Sequence, residues 1–281
     1  MSAASADRYA VIGNPISHSK SPAIHMAFAE ATGQNLTYTT IEGPLGQFAA
    51  TVDRFRAEGG KGLNVTVPFK LDACAYATDL SESARAAGAS NALKFEDDRC
   101  HAENFDGTGL VRDITHNLGR ALAGRRVLLL GAGGATRGAI LPILRESPAL
   151  LFVANRTVDK ATALVRDFHA GGASTQVLAG GGYDDLNQET FDVVINATSA
   201  SLSAQLPPVP ASALSPNGLA YDMVYGKGLT PFLRLAKDSG VRHLADGVGM
   251  LVEQAAEAFA WWRGVRPDTT EVIRRMTVPL V

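Results

Sequence analysis

Three short segments of this chain carry the side chains that can do chemistry. Lys70 closes the run Gly62-Leu63-Asn64-Val65-Thr66-Val67-Pro68-Phe69-Lys70, Asp106 stands in Asn104-Phe105-Asp106-Gly107, and Gly131-Ala132-Gly133-Gly134-Ala135 follows an apolar stretch. A lysine ammonium within about 2.6–3.2 Å of a reacting oxygen can hand it a proton and take it back. A carboxylate beside that amine can hold it in place through a charge-assisted hydrogen bond. A glycine turn at the end of a strand lets a pyrophosphate approach the backbone and rest on a helix N-terminus. Together these groups outline hydride transfer between a nicotinamide and an alcohol, without a metal.

Strands and helices must position these groups. Residues 9–12 read as a short apolar strand. Residues 22–32 have apolar positions at helical spacing, with Pro22 in the first turn and Gly33 as the stop. Residues 36–41, rich in Thr, Tyr and Ile, predict a second strand. A helix over 45–58, a strand over 63–67 and helical stretches over 70–77 and 80–88 follow, then a hairpin of 91–96 and 100–104 across Asp97-Asp98. A helix over 107–119 leads to Gly124, and 127–130 is an unbroken apolar run, which suits a parallel strand covered on both faces. The alternation continues through helix 135–146, strand 151–154, helix 157–169, a weak strand near 176–178, strands 192–195 and 219–222, and helices 231–238 and 248–263.

That βαβ series implies an α/β fold with a Rossmann-type, doubly wound sheet in its second part. A domain boundary falls near residue 105, because one α/β unit precedes the glycine turn and another begins shortly before it. Spacing alone does not show where the residues after about 240 pack.

The chain has 281 residues, 46% apolar and 19% charged, which fits one or two globular domains. A net charge of −2 and the lack of a long basic run argue against nucleic acid or an anionic membrane as the main partner. The two cysteines, Cys74 and Cys100, form no Cys-x-x-Cys pair, and a reducing, cytoplasmic compartment fits best. The stretch up to Asp7 lacks the basic segment and apolar core of a signal peptide, and no apolar run reaches the ~18 residues of a membrane helix. His18 and His25 have neither an acidic partner nor metal-ligand spacing nearby, so no metal is expected. Oligomeric state is left between monomer and homodimer.

The choice of nicotinamide cofactor rests on the second strand of the glycine-turn unit. It ends Ala154-Asn155-Arg156-Thr157, with Lys160 one turn on and no carboxylate to bond a ribose hydroxyl. A guanidinium there can fork onto a 2′-phosphate, which favours NADP over NAD. The third position of the usual glycine fingerprint is Thr136.

With Ser17-His18-Ser19-Lys20-Ser21-Pro22, Asn196-Ala197-Thr198-Ser199, Tyr221-Asp222-Met223 and Asp246-Gly247-Val248-Gly249-Met250-Leu251-Val252 added to the segments above, the chain resembles the shikimate dehydrogenase family from about residue 8 to 265. The resemblance implies NADP-linked interconversion of 3-dehydroshikimate and shikimate. It implies a substrate-binding domain over 1–105, completed by C-terminal helices returning from about 246–281, and an NADP-binding domain over 106–245. It implies Lys70 and Asp106 as the catalytic pair. Ser19, Ser21, Asn64, Thr66, Asn91, Tyr225 and Gln254 would touch the substrate. Gly131, Ala132, Gly133, Gly134, Ala135, Asn155, Arg156, Thr157, Lys160, Met223 and Gly247 would touch the cofactor. Lys160 stands where many members have arginine, which keeps the charge but loses the fork.

Three positions depart from the family pattern. Phe105 replaces the usual threonine between Asn104 and Asp106, Ala92 follows Asn91 where threonine is common, and Ser201 stands where the family tends to carry glycine. These changes imply either weaker shikimate turnover or preference for a related polyol acid such as quinate. A ligand-sensing regulator that has lost chemistry is the other class, and intact Lys70 and Asp106 speak against it.

Overall fold

The computed structural model describes residues 5–198, 200 and 205–281. Contacts divide the chain into two units. The first runs to Gly109 and takes in Val252–Val272, and the second comprises Leu110–Leu251 and Ile273–Val281.

In the first unit, β1 (Asp7–Gly13), β2 (Leu36–Glu42), β3 (Gly60–Val65), β4 (Asp79–Leu80), β5 (Ala92–Glu96) and β6 (Arg99–Glu103) make a six-stranded sheet in the order β2-β1-β3-β5-β6-β4. β1 runs parallel to β2 and β3, while β5 is antiparallel to β3 and β6, so the sheet is mixed. Side-chain alternation along the strands covers both faces. Ala10, Ile12, Leu63 and Val65 pack with Phe48, Val52 and Phe55 of α2 (Phe48–Ala57) and Ala73 of α3 (Lys70–Tyr76). On the other face Tyr9 stacks on Trp262 at 4.8 Å, and Phe28 of α1 (Ser21–Thr32) meets Phe259 edge-on. A short α4 (Glu82–Ala87) is capped by Ser81, whose hydroxyl accepts from the Ala84 N–H.

In the second unit, β7 (Arg126–Leu130), β8 (Leu150–Ala154), β9 (Leu178–Gly181), β10 (Phe191–Asn196), β11 (Leu214–Asp222) and β12 (His243–Asp246) form an all-parallel sheet in the order β12-β11-β10-β7-β8-β9. The order reverses between β7 and β10, which puts a crevice at their carboxyl ends. Val127 and Leu129 face α6 (Gly134–Arg145) and α7 (Val158–Ala170), whereas Leu128 and Leu130 face α8 (Pro231–Asp238). An unbroken apolar run is what a strand with two covered faces requires.

α5 (Asp106–Arg112) and α9 (Val248–Arg263) each start in one unit and end in the other, as does α10 (Thr270–Met276). The helix read over 107–119 starts at Asp106 and loosens into a π-helical turn at Asp113–Asn117. The helix read from 45 starts only at Phe48, after Pro44 and a left-handed Gly46. The weak strand near 176–178 lies at Leu178–Gly181. Its two glycines masked it, and Gly180 is required because a Cβ there would sit 2.8 Å from Val165 of α7. β4, β12 and α10 escaped the sequence reading; β4 has only two residues, and β12 carries no β-branched or aromatic residue.

Candidate active site

Lys70 is placed by the residue before it. Phe69 is buried in the first unit's core against Phe48, at 5.5 Å between rings, so α3 begins at a fixed point and Lys70 is its first residue. Asp106 is likewise the first residue of α5. Its N–H donates to Asn104 Oδ1 at 3.1 Å, while Asn104 Nδ2 donates to the Ala89 carbonyl. The ends of these two short helices meet. Lys70 Nζ lies 2.5 Å from Asp106 Oδ2, with the lysine side chain 30% exposed and the aspartate 18%.

Asp106 is held from its other oxygen as well. Asn91 Nδ2 donates to Asp106 Oδ1 at 2.8 Å and to Gln254 Oε1 at 3.2 Å, and Asn91 Oδ1 accepts from the Phe105 N–H. Asn91 therefore spends its amide on orienting its neighbours. Asn64 joins the same network, its Nδ2 donating to the Asn91 carbonyl at 3.3 Å. Of the groups expected around the substrate, Lys70, Asp106, Asn91, Gln254 and Asn64 are thus linked in one chain of contacts. Thr66 lies in the segment between β3 and α3, its N–H donating to the Ile12 carbonyl. Ser21 opens α1, and Ser19 lies two residues before it. Ser21 is the first helical residue, not the N-cap, and its N–H donates to Ser19 Oγ at 3.3 Å. Tyr225 belongs to the second unit, in the segment after β11.

The turn containing Phe105 is tied through its backbone, the Phe105 N–H donating to Asn91 Oδ1 at 2.9 Å. The Phe105 ring packs edge-on against Trp261 at 5.7 Å. Ala92 is buried at the start of β5, and its carbonyl accepts from Ser90 Oγ. Ser199 and Ser201 lie outside the described residues.

Sequence reasoning missed Tyr38 and the state of His25. Tyr38 donates its hydroxyl hydrogen to Asn64 Oδ1 at 2.6 Å, and His25 stacks flat on its ring. Neither ring nitrogen of His25 has a hydrogen-bond partner, and burial holds its pKa down to about 3, with the Asn64 amide pulling the other way. Alternation in β2 marks Tyr38 as inward-facing, but nothing in the sequence says what its hydroxyl reaches.

In the second unit, Gly131 has φ +101°, and a Cβ there would press on Thr198 at 3.0 Å. A Cβ at Gly133 or Gly134 would meet nothing within 4 Å, so the backbone at the start of α6 is open to a ligand. Ala132 and Ala135 flank it. Thr136 explains the missing third glycine: its buried hydroxyl donates to the Gly131 carbonyl at 2.9 Å and ties the turn to the helix. Beyond β8, Asn155 Nδ2 donates to the Thr157 carbonyl, and Arg156, Thr157 and Lys160 are exposed. Arg156 lines a cavity of about 510 Å³ with Val158, Tyr183, Asp184 and Asn187. Met223 and Gly247 are pressed together, since a Cβ on Gly247 would lie 2.2 Å from the Met223 carbonyl oxygen. This donor set fits a dinucleotide: bare amides at a helix start for the pyrophosphate, and cations at the tip of the next strand for a 2′-phosphate. Among the described residues no group of His, Cys, Asp and Glu converges as a metal cluster, and no helix is long and apolar enough to cross a membrane.

The chain is similar to known proteins over nearly its whole length. Family models described as the shikimate dehydrogenase substrate binding domain, shikimate / quinate 5-dehydrogenase and the shikimate 5′-dehydrogenase C-terminal domain match residues 11–93, 113–205 and 247–276. The shikimate dehydrogenase (NADP(+)) of Chromobacterium violaceum is 55% identical over 266 residues, covering 95% of this chain and 96% of that protein. An Ael1 enzyme from Pseudomonas putida superposes with a TM-score of 0.93 at 58% identity, over 98% of this chain and 100% of that one. The shikimate 5-dehydrogenase of Thermus thermophilus, solved with NADP(H) and shikimate, gives a TM-score of 0.84 at 31% identity over 96% of this chain and 99% of that one.

Proposed function

Because the chain belongs to the shikimate dehydrogenase family, we propose that it catalyses the NADP-dependent, reversible reduction of 3-dehydroshikimate to shikimate, with Lys70 as the group that gives and takes the proton. The observation that carries this reading is the 2.5 Å contact between Lys70 Nζ and Asp106 Oδ2. Bound NADP(H) supplies or accepts the hydride at the ring carbon being reduced or oxidised. Lys70 delivers a proton to the oxygen on that carbon as negative charge builds, and removes it in the reverse direction. Asp106 orients the amine and keeps its counter-charge close through a charge-assisted bond. Asn91 fixes Asp106 from the opposite oxygen, so the pair is preorganised rather than assembled during the reaction.

Around that pair, Ser19, Ser21, Asn64, Thr66 and Gln254 supply the hydroxyl and amide partners that a small hydroxylated carboxylic acid needs, and Tyr225 is the substrate-contacting hydroxyl of the second unit. A site built from such partners discriminates strongly against analogues lacking the matching group. Gly131, Ala132, Gly133, Gly134 and Ala135 would hold the pyrophosphate, and Asn155, Arg156, Thr157 and Lys160 the 2′-phosphate. Met223 and Gly247 complete the cofactor contacts.

A second substrate, quinate, is favoured by one observation: Phe105 places a ring packed on Trp261 where the family usually has a small hydroxyl next to Asp106. Absorbance of reduced nicotinamide, followed with shikimate and quinate against NADP and NAD, tests both readings. Shikimate with NADP is expected to give the highest kcat/KM, and Arg156→Asp to weaken NADP use far more than NAD use. Equal losses with both cofactors would remove Arg156 from the 2′-phosphate, and no turnover with either acid would remove the activity.

A further inference from the structure

Beneath the reactive pair lies a tyrosine hydroxyl whose bonds decide which way an amide faces. Asn64 is 5% exposed, and its two side-chain atoms are told apart by their partners. Nδ2 points at the Asn91 carbonyl, which can only accept and also takes the Val65 N–H at 2.8 Å. The other atom must therefore be Oδ1, and Tyr38 must donate to it, as the 2.6 Å contact shows. Ser21 hydrogen-bonds the same phenolic oxygen, and burial with no charged partner keeps that phenol un-ionised, its pKa raised well above the usual value. The ring cannot swing away, because His25 stacks on it at 4.2 Å with planes 5° apart.

We propose that Tyr38 is a positioning residue for substrate recognition: its hydroxyl, braced by His25, locks the Asn64 amide so that the remaining Nδ2 hydrogen, and not the carbonyl, is offered to the ligand. Asn64 then selects an oxygen with a free lone pair, a requirement that both a ketone and an alcohol meet. This rests on the reading of Asn64 as a ligand contact. Without the Tyr38 hydroxyl the buried Oδ1 loses its donor, and the amide gains freedom to rotate away from the productive orientation. Tyr38 touches no reacting atom in this scheme, so its loss acts on binding and leaves the proton transfer at Lys70 alone.

Tyr38→Phe keeps the ring and its stack while removing the hydroxyl. Its KM for shikimate is expected to rise roughly tenfold, with kcat within about threefold of wild type and KM for NADP unchanged, the signature of lost uniform binding. A mutant cycle separates positioning from bulk packing. If Tyr38 acts through Asn64, Tyr38→Phe/Asn64→Ala should bind shikimate no more weakly than Asn64→Ala alone. Asn64→Ala with unaltered shikimate affinity would sink the assignment of Asn64 itself. Asn64→Ala weakened but Tyr38→Phe at wild-type KM, or losses that simply add in the double variant, would overturn the role of Tyr38 while leaving the rest of the site standing.

Discussion

The two units bury different kinds of atom in different places. Below the reactive pair of the first unit, Ser21, His25, Asn64, Ser90, Asn91 and Asn104 are all buried within the fold, and Asn64, Asn91 and Asn104 are linked through the hydrogen bonds around Asp106. The second unit keeps most of its sheet interior aliphatic. Among the described residues its buried polar groups are Asn196, Asp222 and Asp246 at the carboxyl ends of strands, and Asp113, Thr136 and Thr230 on the helices or their caps, with Asp113 accepting from the buried Tyr221 hydroxyl. The difference follows from what each must hold. A small polar ligand must be met by donors and acceptors already fixed in direction, which only a satisfied polar network achieves. A dinucleotide is met largely by backbone amides at one rim, so the rest of the sheet is free to be a packed apolar core.

The largest separation between the units should come from Lys70→Ala. The residue is partly exposed and outside the aliphatic core, so thermal stability should hardly move, while kcat should fall by roughly 10²–10⁴ and KM change little. Asp106→Ala is expected to lower both turnover and substrate affinity, because it also releases Asn91. Near wild-type turnover for Lys70→Ala would show that the network orients something other than a proton donor. Leu129→Ala is the opposite probe. Leu129 is fully buried in the second sheet, and truncation should cost about 2–5 kcal/mol of unfolding free energy by urea titration. Lys70 chemistry in the surviving folded protein should stay within a few-fold of wild type. A large kcat loss without a stability loss would contradict the division.

A third probe asks whether the polar network carries a stability cost of its own. His25 is neutral in the folded state, its pKa held at about 3 by burial against 6.5 for an ordinary histidine. Below pH 6.5 the unfolded chain takes up a proton that the folded one refuses, so stability is complete above that value and drains as pH falls toward 3. The slope from this one group is at most about 1.4 kcal/mol per pH unit. His25→Phe should flatten the profile by that amount, whatever it does to the absolute stability. Trp261 and Trp262, the chain's only tryptophans, both lie in the first unit, so their fluorescence reports the right transition. Parallel profiles for wild type and variant would mean that His25 is protonated or exposed.

The sequence displayed the second unit more fully than the first. Val127 to Leu130, the glycine turn and the helical patterns after it are local signals, and each lies where its pattern places it. In the first unit Lys70 and Asp106 are 36 residues apart, and their approach depends on two helix starts fixed by Phe69 and Asn104. No periodicity encodes that meeting; the motifs flagged the residues, and the fold supplied the distance. The short β12 and the glycine-bearing β9 were hard to read because sheet neighbours, rather than intrinsic strand preference, hold them in place. Tyr38 was hidden for a similar reason. Its partner Asn64 is 26 positions away on a strand that is not even adjacent to its own, with β1 lying between them.

The smallest effect compares two helix caps built alike. Ser81 accepts from the Ala84 N–H at 3.0 Å and donates to Glu103 Oε1 at 2.6 Å. Thr230 accepts from the Leu233 N–H at 3.3 Å and donates to Asp222 Oδ2 at 2.6 Å. Loss of the cap alone costs about 1 kcal/mol in either place. What differs is the carboxylate left behind. Glu103 is half-buried and its Oε1 keeps the Asn104 N–H at 2.8 Å, whereas Asp222 is fully buried at the end of β11, where its other oxygen is already taken by Asn196 Nδ2 and the Val224 N–H. A buried charged acceptor that loses a donor adds about 1–3 kcal/mol. Thr230→Ala should therefore cost about 1–3 kcal/mol more than Ser81→Ala in urea unfolding, and Thr230→Ser should recover most of the gap by restoring the hydroxyl. Equal losses for the two alanine variants would mean that water reaches Asp222, and that the polar rim of the second sheet is no drier than the edge of the first.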